Sequence, residues 1–452
     1  MAIDILSSAG QLQTLLSTKR RSRIHRDEII ASRSRRLRRL IEHAYNNVPY
    51  YRAMFKREGI TPQDIRTEDD LRYIPVTTKK DMQALPVNDI VSRGIKIEDL
   101  IIRKTSGSTG EASIVRRTWL EERIIQGFRW RSLAFLGWTM RDRVVNVGLP
   151  LKPQRSDSQV PARFIQFLGF YRNRRINCLQ SFEKIILELE EYRPNVIAGY
   201  PGVLSKLAQT IESRGQIKCT PRFIATGGET LTRTMRDQIS HAFGAPVYNL
   251  YGSHEFNLIG WECKETGELH TCDDNLLLEV QRDGNTVDEG ERGEVVGTSL
   301  HSFAMPFIRY RLGDVVTRGS KVCRCGLPFS TIRAVLGRML DYFRLPGGRI
   351  VHSYEITTGV KRQVPGLIRH HQIVQERSDK IVMKIVPFNK IEENIIISLE
   401  QSVKEKLGRE IEFRIIQVDG IDLELNGKFR VSHSMVESDY DGIDWDREFF
   451  LD

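Results

Sequence analysis

Between residues 100 and 340 of this 452-residue chain, short apolar runs alternate with longer amphipathic segments. The runs at 144–148, 196–199 and 223–226 have the length and β-branched content of buried strands. The segments at 116–135, 182–192 and 203–214 place apolar residues at helical spacing. The alternation predicts an α/β fold of layered, mainly parallel sheets. Residues 276–280 and 293–297 predict strands of a smaller β-rich part.

The two ends of the chain differ from this middle part. Residues 1–90 predict mostly helix, with a break at Pro49 and a helix C-cap at Gly59. After Gly337, strands are predicted at 350–355, 373–376, 380–386 and 411–417, and a helix at 390–407. We therefore predict a large N-terminal domain over residues 1–338 and a small α+β C-terminal domain over 339–452.

The composition is that of a globular protein too long for a single core. No apolar run approaches the roughly 18 residues of a membrane helix. The segment after Met1 lacks the basic and apolar regions of a signal peptide, so we predict a cytoplasmic protein without a membrane span. The six cysteines would then be reduced or bound to metal.

A loop of small and hydroxyl residues follows the apolar run at 99–102. Two glycines allow backbone amides to converge, and four hydroxyls add donors, which suits a phosphate group. The loop consists of Thr105, Ser106, Gly107, Ser108, Thr109 and Gly110. No Gly-Lys-Ser/Thr follows, so it is not a P-loop. A Ser/Gly-rich surface turn would have the same composition.

Four further motifs follow this loop in order: Tyr251-Gly-Ser-His-Glu255, Tyr310-Arg-Leu-Gly-Asp314, Gly337-Arg338 and Asn426-Gly-Lys428. Together they resemble the adenylate-forming superfamily of acyl- and aryl-CoA synthetases, in its phenylacetate–CoA ligase-like branch. The resemblance covers nearly the whole chain. It implies ATP- and Mg²⁺-dependent activation of a carboxylic acid, aryl or arylacetic, as an acyl-adenylate, then transfer to the thiol of coenzyme A. It also implies that the C-terminal domain is a mobile lid.

The resemblance assigns a role to each motif. The loop from Thr105 to Gly110 cradles the β- and γ-phosphates, Glu255 holds Mg²⁺, and Lys428 is the mobile catalytic lysine. Nucleotide contacts are implied for Gly227, Gly228 and Glu229 at the adenine edge, Tyr251 with Gly252 and Ser253 beside adenine, and Asp314 and Arg338 at the ribose. Taken singly, each of these residues is also compatible with an ordinary turn, core or surface position.

The chain departs from the family pattern at two places. Glu111-Ala112 stands where a lysine and a proline usually follow the phosphate loop, and Arg116 or Arg117 would be the cation to compensate. Leu340 stands at the usual hinge aspartate, with Asp341 next to it.

Cysteine and histidine residues recur at Cys263-x6-His270-x-Cys272 and Cys323-Arg-Cys325. Zinc takes four nitrogen or sulfur ligands in a tetrahedron, which Cys263, His270, Cys323 and Cys325 would supply. Cys272 could replace Cys263 or His270, and buried thiols without metal are the other interpretation. Some relatives in the branch carry such a site. A site closed by four protein ligands would be structural.

The acid pocket is expected between residues 125 and 255. The aromatic side chains that could form its walls, or simply pack in the core, are Phe128, Trp130, Phe135, Trp138, Tyr200 and Tyr248. No residue identifies the acid.

Alternative functions remain at this point. The adenylate could pass its acyl or AMP group to a carrier protein, an amine or a hydroxyl, or the chain could bind ATP without turnover. The net charge of +10 includes ten Lys/Arg between residues 19 and 39, which would suit a zinc-containing nucleic-acid-binding protein. Apolar residues at helical spacing in the same segment favour a solvated helix face, or attraction of an anionic partner such as coenzyme A. We therefore expect no nucleic-acid partner; a homodimer is compatible with the sequence.

Overall fold

The structure is a computed structural model that describes residues 25–104, 113–150, 172–338, 341–421 and 430–436. It has the predicted α/β class, with parallel strands in the middle of the chain, a β-rich part after them and a small α+β unit at the end. No helix in these ranges is long and apolar enough to cross a membrane.

Helices dominate the N-terminal part. They are α1 (Arg26–Asn47), α2 (Pro49–Arg57), α3 (Lys79–Gln83) and α4 (Val87–Ile90). As predicted, α1 ends before Pro49, which occupies the first turn of α2, where its missing N–H is not needed. Leu37, Leu40 and Ile41 of α1 are fully buried. The described part of the basic segment is therefore an amphipathic helix packed on the core.

A hairpin of β1 (Ile101–Lys104) and β2 (Ile114–Arg117) precedes α5 (Trp119–Phe135). The predicted helix at 116–135 thus starts too early. Thr118 caps α5 by accepting a hydrogen bond from Glu121 N–H, and the Glu121 carboxylate accepts one from Thr118 N–H. This reciprocal cap fixes the helix start, and the two arginines before it join the strand.

Within the described residues, twelve strands form one continuous sheet. The parallel strands are β3 (Arg143–Gly148), β4 (Arg172–Asn177), β5 (Val196–Gly199), β6 (Phe223–Gly227) and β7 (Val247–Ser253). The helices between them are α6 (Phe182–Tyr192), α7 (Pro201–Arg214) and α8 (Arg233–Phe243). Val145, Val147 and Ile197 pack under these helices, whereas Val144 and Ala198 belong to the core on the opposite face, with Phe128 of α5.

The antiparallel part of the sheet is the predicted β-rich part. Its strands are β8 (Asn257–Glu262), β9 (Leu269–Thr271), β10 (Leu276–Arg282), β11 (Asn285–Thr286), β12 (Arg292–Ser299), β13 (Tyr310–Arg318) and β14 (Thr331–Arg338). The order of the whole sheet is β11-β10-β12-β13-β14-β9-β8-β7-β6-β5-β3-β4. Strand β8 pairs antiparallel with β7, the last of the parallel strands, and so joins the two parts. The motifs at Tyr251 and Asp314 therefore lie in one sheet.

The chain then leaves this sheet. The elements that follow are β15 (Tyr342–Arg344), β16 (Ile350–His352), α9 (Ser353–Gln363), β17 (Ile368–Arg377), β18 (Lys380–Pro387), α10 (Glu393–Leu407), β19 (Glu412–Gln417) and β20 (Ser432–Ser434). A four-stranded sheet has the order β19-β18-β17-β20. The strand predicted at 350–355 ends at His352. The His352 imidazole accepts a hydrogen bond from Tyr354 N–H and so caps the start of α9.

Candidate nucleotide site

The turn after β6 lies at the carboxyl edge of the parallel strands. A Cβ on Gly227 would come within 2.6 Å of the Leu250 carbonyl oxygen on β7, and Gly228 has φ +82°. Both positions therefore require glycine. The Glu229 carboxylate accepts the Gly202 N–H at 2.9 Å, in the first turn of α7. The side chain of Glu229 thus caps a helix, and its backbone remains the part of the turn that could meet adenine.

Tyr251 of β7 and Asp314 of β13 come together although 63 residues separate them. The Tyr251 hydroxyl donates to Asp314 Oδ2 at 2.7 Å, and the two residues are 8% and 4% exposed. Asp314 is also the cross-strand partner of Arg338 at the end of β14. The structure therefore brings together the three residues to which adenine and ribose contacts were assigned.

The β7–β8 hairpin carries Glu255. A Cβ on Gly252 would lie 2.0 Å from the Asn257 carbonyl oxygen, so the hairpin closes only over glycine. The Ser253 hydroxyl accepts the Phe256 N–H at 3.1 Å and stabilises the turn. Glu255 is 6% exposed, and within the described residues no hydrogen bond to its carboxylate is formed. An acceptor-only carboxylate in this position suits a hard cation such as Mg²⁺.

Arg117 supports this hairpin from β2. Its guanidinium donates to the carbonyl oxygens of His254 and Glu255, the latter at 2.8 Å, and contacts the Glu122 carboxylate at 3.4 Å. At 2% exposure it does not point to solvent. Arg117 therefore positions the Glu255 turn and does not replace the missing lysine. The sequence feature that could have indicated this role of Arg117 is its position directly before Thr118, the residue that caps α5.

Arg116 has a different environment. Its cross-strand partner is Ile102 on β1, and it remains partly exposed. Burial lowers the pKa of its guanidinium. The proposed compensation for the missing lysine by Arg116 remains a prediction, because the phosphate loop lies outside the described residues.

Several predicted residues lie outside the described residues: the whole loop from Thr105 to Gly110 with Glu111, Leu340, and Lys428. Their flanks are defined. Lys104 pairs with Ile114 in the β1–β2 hairpin, so the phosphate loop is the hairpin connection. The segment with Lys428 starts after Ile421, whose carbonyl oxygen accepts a hydrogen bond from Lys206 on α7. That contact lies one helical turn from Gly202 and the Glu229 turn.

The four predicted zinc ligands meet in space. Cys263 follows β8, His270 lies in β9, and Cys323 and Cys325 lie between β13 and β14. Their ligand atoms all lie within 4.8 Å of one another; Cys263 Sγ and Cys323 Sγ are 3.9 Å apart, and Cys325 Sγ and His270 Nε2 3.5 Å. Tetrahedral zinc would hold two sulfurs about 3.8 Å apart and a sulfur and a nitrogen about 3.6 Å apart.

Cys272 is not part of this group. Its sulfur lies 3.1 Å from an Arg131 guanidinium nitrogen, beside Asp274, and the residue is fully buried. The alternative ligand sets that used Cys272 are therefore wrong for this structure. Burial lowers the pKa of His270 to about 4, so its imidazole is neutral at pH 7, as a metal ligand must be.

Most of the proposed pocket walls belong to the core. Phe128 and Trp138 are 1% and 4% exposed, Trp130 packs on Trp138, and Phe135 stacks on Trp261 at 5.5 Å. Their helical spacing therefore reflects packing of α5 on the sheet. Tyr200 is different, because it directly follows β5 at the carboxyl edge of the sheet.

Comparisons with known proteins agree with this geometry. Residues 344–434 match the family described as the CapK C-terminal domain. The chain is 26% identical to a phenylacetate–coenzyme A ligase of Thermus thermophilus over 78% of this chain and 79% of the relative. It is 24% identical to protein CapK of Staphylococcus aureus over 89% of both chains.

Solved structures show the same fold. A 2-hydroxyisobutyryl-CoA ligase in the postadenylation state, 19% identical, superposes with a TM-score of 0.73 over 91% of this chain and 90% of that chain. In sequence and in the order of its motifs, the chain is therefore similar to phenylacetate–CoA ligases, and it shares the fold of a solved CoA ligase.

Proposed function

We propose that this protein is an AMP-forming acid–thiol ligase: it activates a carboxylic acid with ATP as an acyl-adenylate, releases pyrophosphate and transfers the acyl group to coenzyme A. The observation that carries the proposal is the buried Tyr251–Asp314 pair beside Arg338, at the edge where β6 and β7 end. The relative from T. thermophilus, named a phenylacetate–coenzyme A ligase, supports the same chemistry and an aryl or arylacetic acid as substrate.

The nucleotide is held by three parts of the sheet edge. Asp314 accepts hydrogen bonds from the ribose hydroxyls, because a carboxylate is an acceptor only and Tyr251 already fixes one of its oxygens. Adenine packs beside Tyr251 and against the backbone of the turn from Gly227. Glu255, set by Arg117, holds a Mg²⁺ ion that would neutralise charge on the phosphates.

Two segments, whose roles are assigned by resemblance, stabilise the negative charge of the phosphates and of the adenylation step. The loop from Thr105 to Gly110 binds the β- and γ-phosphates with its amides and hydroxyls. Lys428 reaches the α-phosphate and the acid carboxylate and stabilises the negative charge that develops between them. The small C-terminal domain, from about residue 339, closes over the site and then turns to admit the thiol.

A zinc ion held by Cys263, His270, Cys323 and Cys325 would be structural. Four protein ligands leave no position for water or substrate. The site ties the loop between β13 and β14 to β8 and β9, and so holds the strand that carries Asp314.

The first test is pyrophosphate release with ATP and Mg²⁺ across a panel of aryl, arylacetic, amino and fatty acids, with and without coenzyme A. Release with one class and formation of its CoA thioester would support the proposal. Release of AMP without a thioester would favour transfer to a carrier protein, an amine or a hydroxyl. ATP binding without release for any acid would contradict the proposal.

A further inference from the structure

Two arginines face the same space on the α5 side of the parallel sheet. Arg175 of β4 is the register partner of Asn146 on β3. Because side chains alternate along a strand, Asn146 lies on the same face as Val144, which packs with the α5 core. Arg129 comes from α5, whose neighbouring residue Phe128 packs in the same core as Val144, and the positive charge of Arg175 contributes to lowering the pKa of Arg129. The two guanidinium groups therefore lie in one region between helix and sheet.

The Arg175 guanidinium lies at the carboxyl edge of the sheet, next to the last residue of β3. A Cβ on Gly148, the last residue of β3, would come within 3.4 Å of Arg175 Nη2 and 2.9 Å of Asn146 Oδ1. Glycine thus leaves space next to the guanidinium. Tyr200 stands at the end of the adjacent strand β5, and both arginines act on the pKa of its phenol. In sheets of this kind, ligands bind in the crevice beyond the strand ends.

No carboxylate of the described residues pairs with either arginine. Within the described residues, neither Arg129 nor Arg175 forms an ion pair or a side-chain hydrogen bond. Arg174, on the opposite face of β4, instead pairs with Glu188 at 3.2 Å. The Glu229 carboxylate, which acts on Tyr200, accepts the Gly202 N–H.

The arginine pair is both exposed and partly desolvated. Both arginine side chains are accessible to solvent, yet burial lowers the pKa of both guanidinium groups. Protein atoms therefore surround part of each guanidinium group, and a ligand can still reach the rest. Two cations held near each other in such a place repel, and an anion bound between them offsets that cost.

Building on the proposed function, we propose that Arg129 and Arg175, with Tyr200, bind a second anionic group on the acid substrate, at the end remote from the carboxylate that is activated. Arginine binds carboxylate and phosphate through parallel N–H donors, so a dicarboxylic or phosphorylated acid fits the site. An acid that ends in an unsubstituted ring would leave the guanidinium groups of Arg129 and Arg175 desolvated and without an anionic partner.

The test measures binding of acid pairs that differ only in the distal group. The full-length protein is titrated calorimetrically with 4-carboxyphenylacetate against phenylacetate, and with adipate against hexanoate. We expect the dianion of at least one pair to bind roughly 10- to 100-fold more tightly, as charged hydrogen bonds predict. Arg129→Gln and Arg175→Gln should each remove the preference, whereas the control Arg174→Gln should keep it. ATP affinity should not change in any of the three variants.

Equal affinity for both members of every pair would overturn the inference, and so would an equal loss of preference in Arg174→Gln. Loss of ATP affinity in the Arg129 and Arg175 variants would assign their anion to the nucleotide and refute the substrate site. Pyrophosphate release with the same acids tests the ligase separately. A preference for the dianion without pyrophosphate release would contradict the ligase activity and leave the anion site standing.

Discussion

Replacing Asp314 with asparagine tests the nucleotide site at the contact with the best-defined geometry. The Asp314 carboxylate accepts the Tyr251 hydroxyl at 2.7 Å, and both residues are less than a tenth exposed, so water does not compete for the remaining acceptor positions. A hydrogen bond to a charged group contributes about 1.5–3 kcal/mol. The amide keeps one acceptor oxygen, so we expect a loss of about 2 kcal/mol, or about 30-fold in ATP affinity.

Tyr251→Phe should have a smaller effect through the same carboxylate. The aromatic ring remains beside adenine, and only the hydroxyl that fixes Asp314 is lost, so we expect about 1 kcal/mol or about fivefold weaker ATP binding. If the phenol acts through Asp314, the double variant should bind ATP no more weakly than Asp314→Asn alone, because the two effects share one interaction.

The assay is calorimetric titration of ATP into each folded variant, with unfolding curves to show that the fold is kept. Asp288→Asn is the matched control, since this residue is exposed and lies in the loop between β11 and β12. An unchanged ATP affinity in Asp314→Asn would refute the ribose assignment. Additive losses in the double variant would refute the view that Tyr251 acts by holding Asp314.

Three further predictions concern the catalytic segment, the metal and pH. Lys428→Ala should slow pyrophosphate release by about 100-fold or more while ATP still binds, because the lysine acts on charge that develops only during the reaction; equal rates in the variant would exclude it from catalysis. Metal analysis of the purified protein should find about one zinc per chain, lost in Cys323→Ser together with a fall in melting temperature and retained in Cys272→Ser. Burial lowers the pKa of His352 to about 3 and of His370 to about 4, so the unfolded chain binds protons that the folded chain does not as the pH falls below about 6.5. The contribution of these histidines to stability should be complete above that pH and decline between about pH 6.5 and 3, and Gln variants at the two histidines should flatten the decline in the melting curves.

The order of elements and the class of fold could be predicted from the sequence because they depend on local patterns. Apolar periodicity distinguishes β3, β5 and β6 from α6 and α7, and Pro49 marks a helix boundary for a purely covalent reason. Apolar periodicity does not predict the helix and strand boundaries that are set by a capping side chain. The start of α5 at Thr118 and the end of β16 at His352 are the examples.

Tertiary structure decided which of the candidate residues can act together. Four arginines from neighbouring elements differ in partner: Arg117 holds the Glu255 turn and Arg174 pairs with Glu188, whereas within the described residues Arg129 and Arg175 have no carboxylate partner. Such differences depend on strand order and face, which no local pattern contains.

The sequence by itself determined the types of chemical group available: an acceptor at Asp314, a carboxylate at Glu255, and four nitrogen or sulfur ligands. Only the tertiary structure decided that Tyr251 meets Asp314 across 63 residues, and that Cys272 belongs to Arg131 and not to the metal group. The physical reason is that hydrogen bonds and metal–ligand bonds act over about 2–3 Å. Contacts of that range between distant parts of a chain are fixed by the register of the sheet.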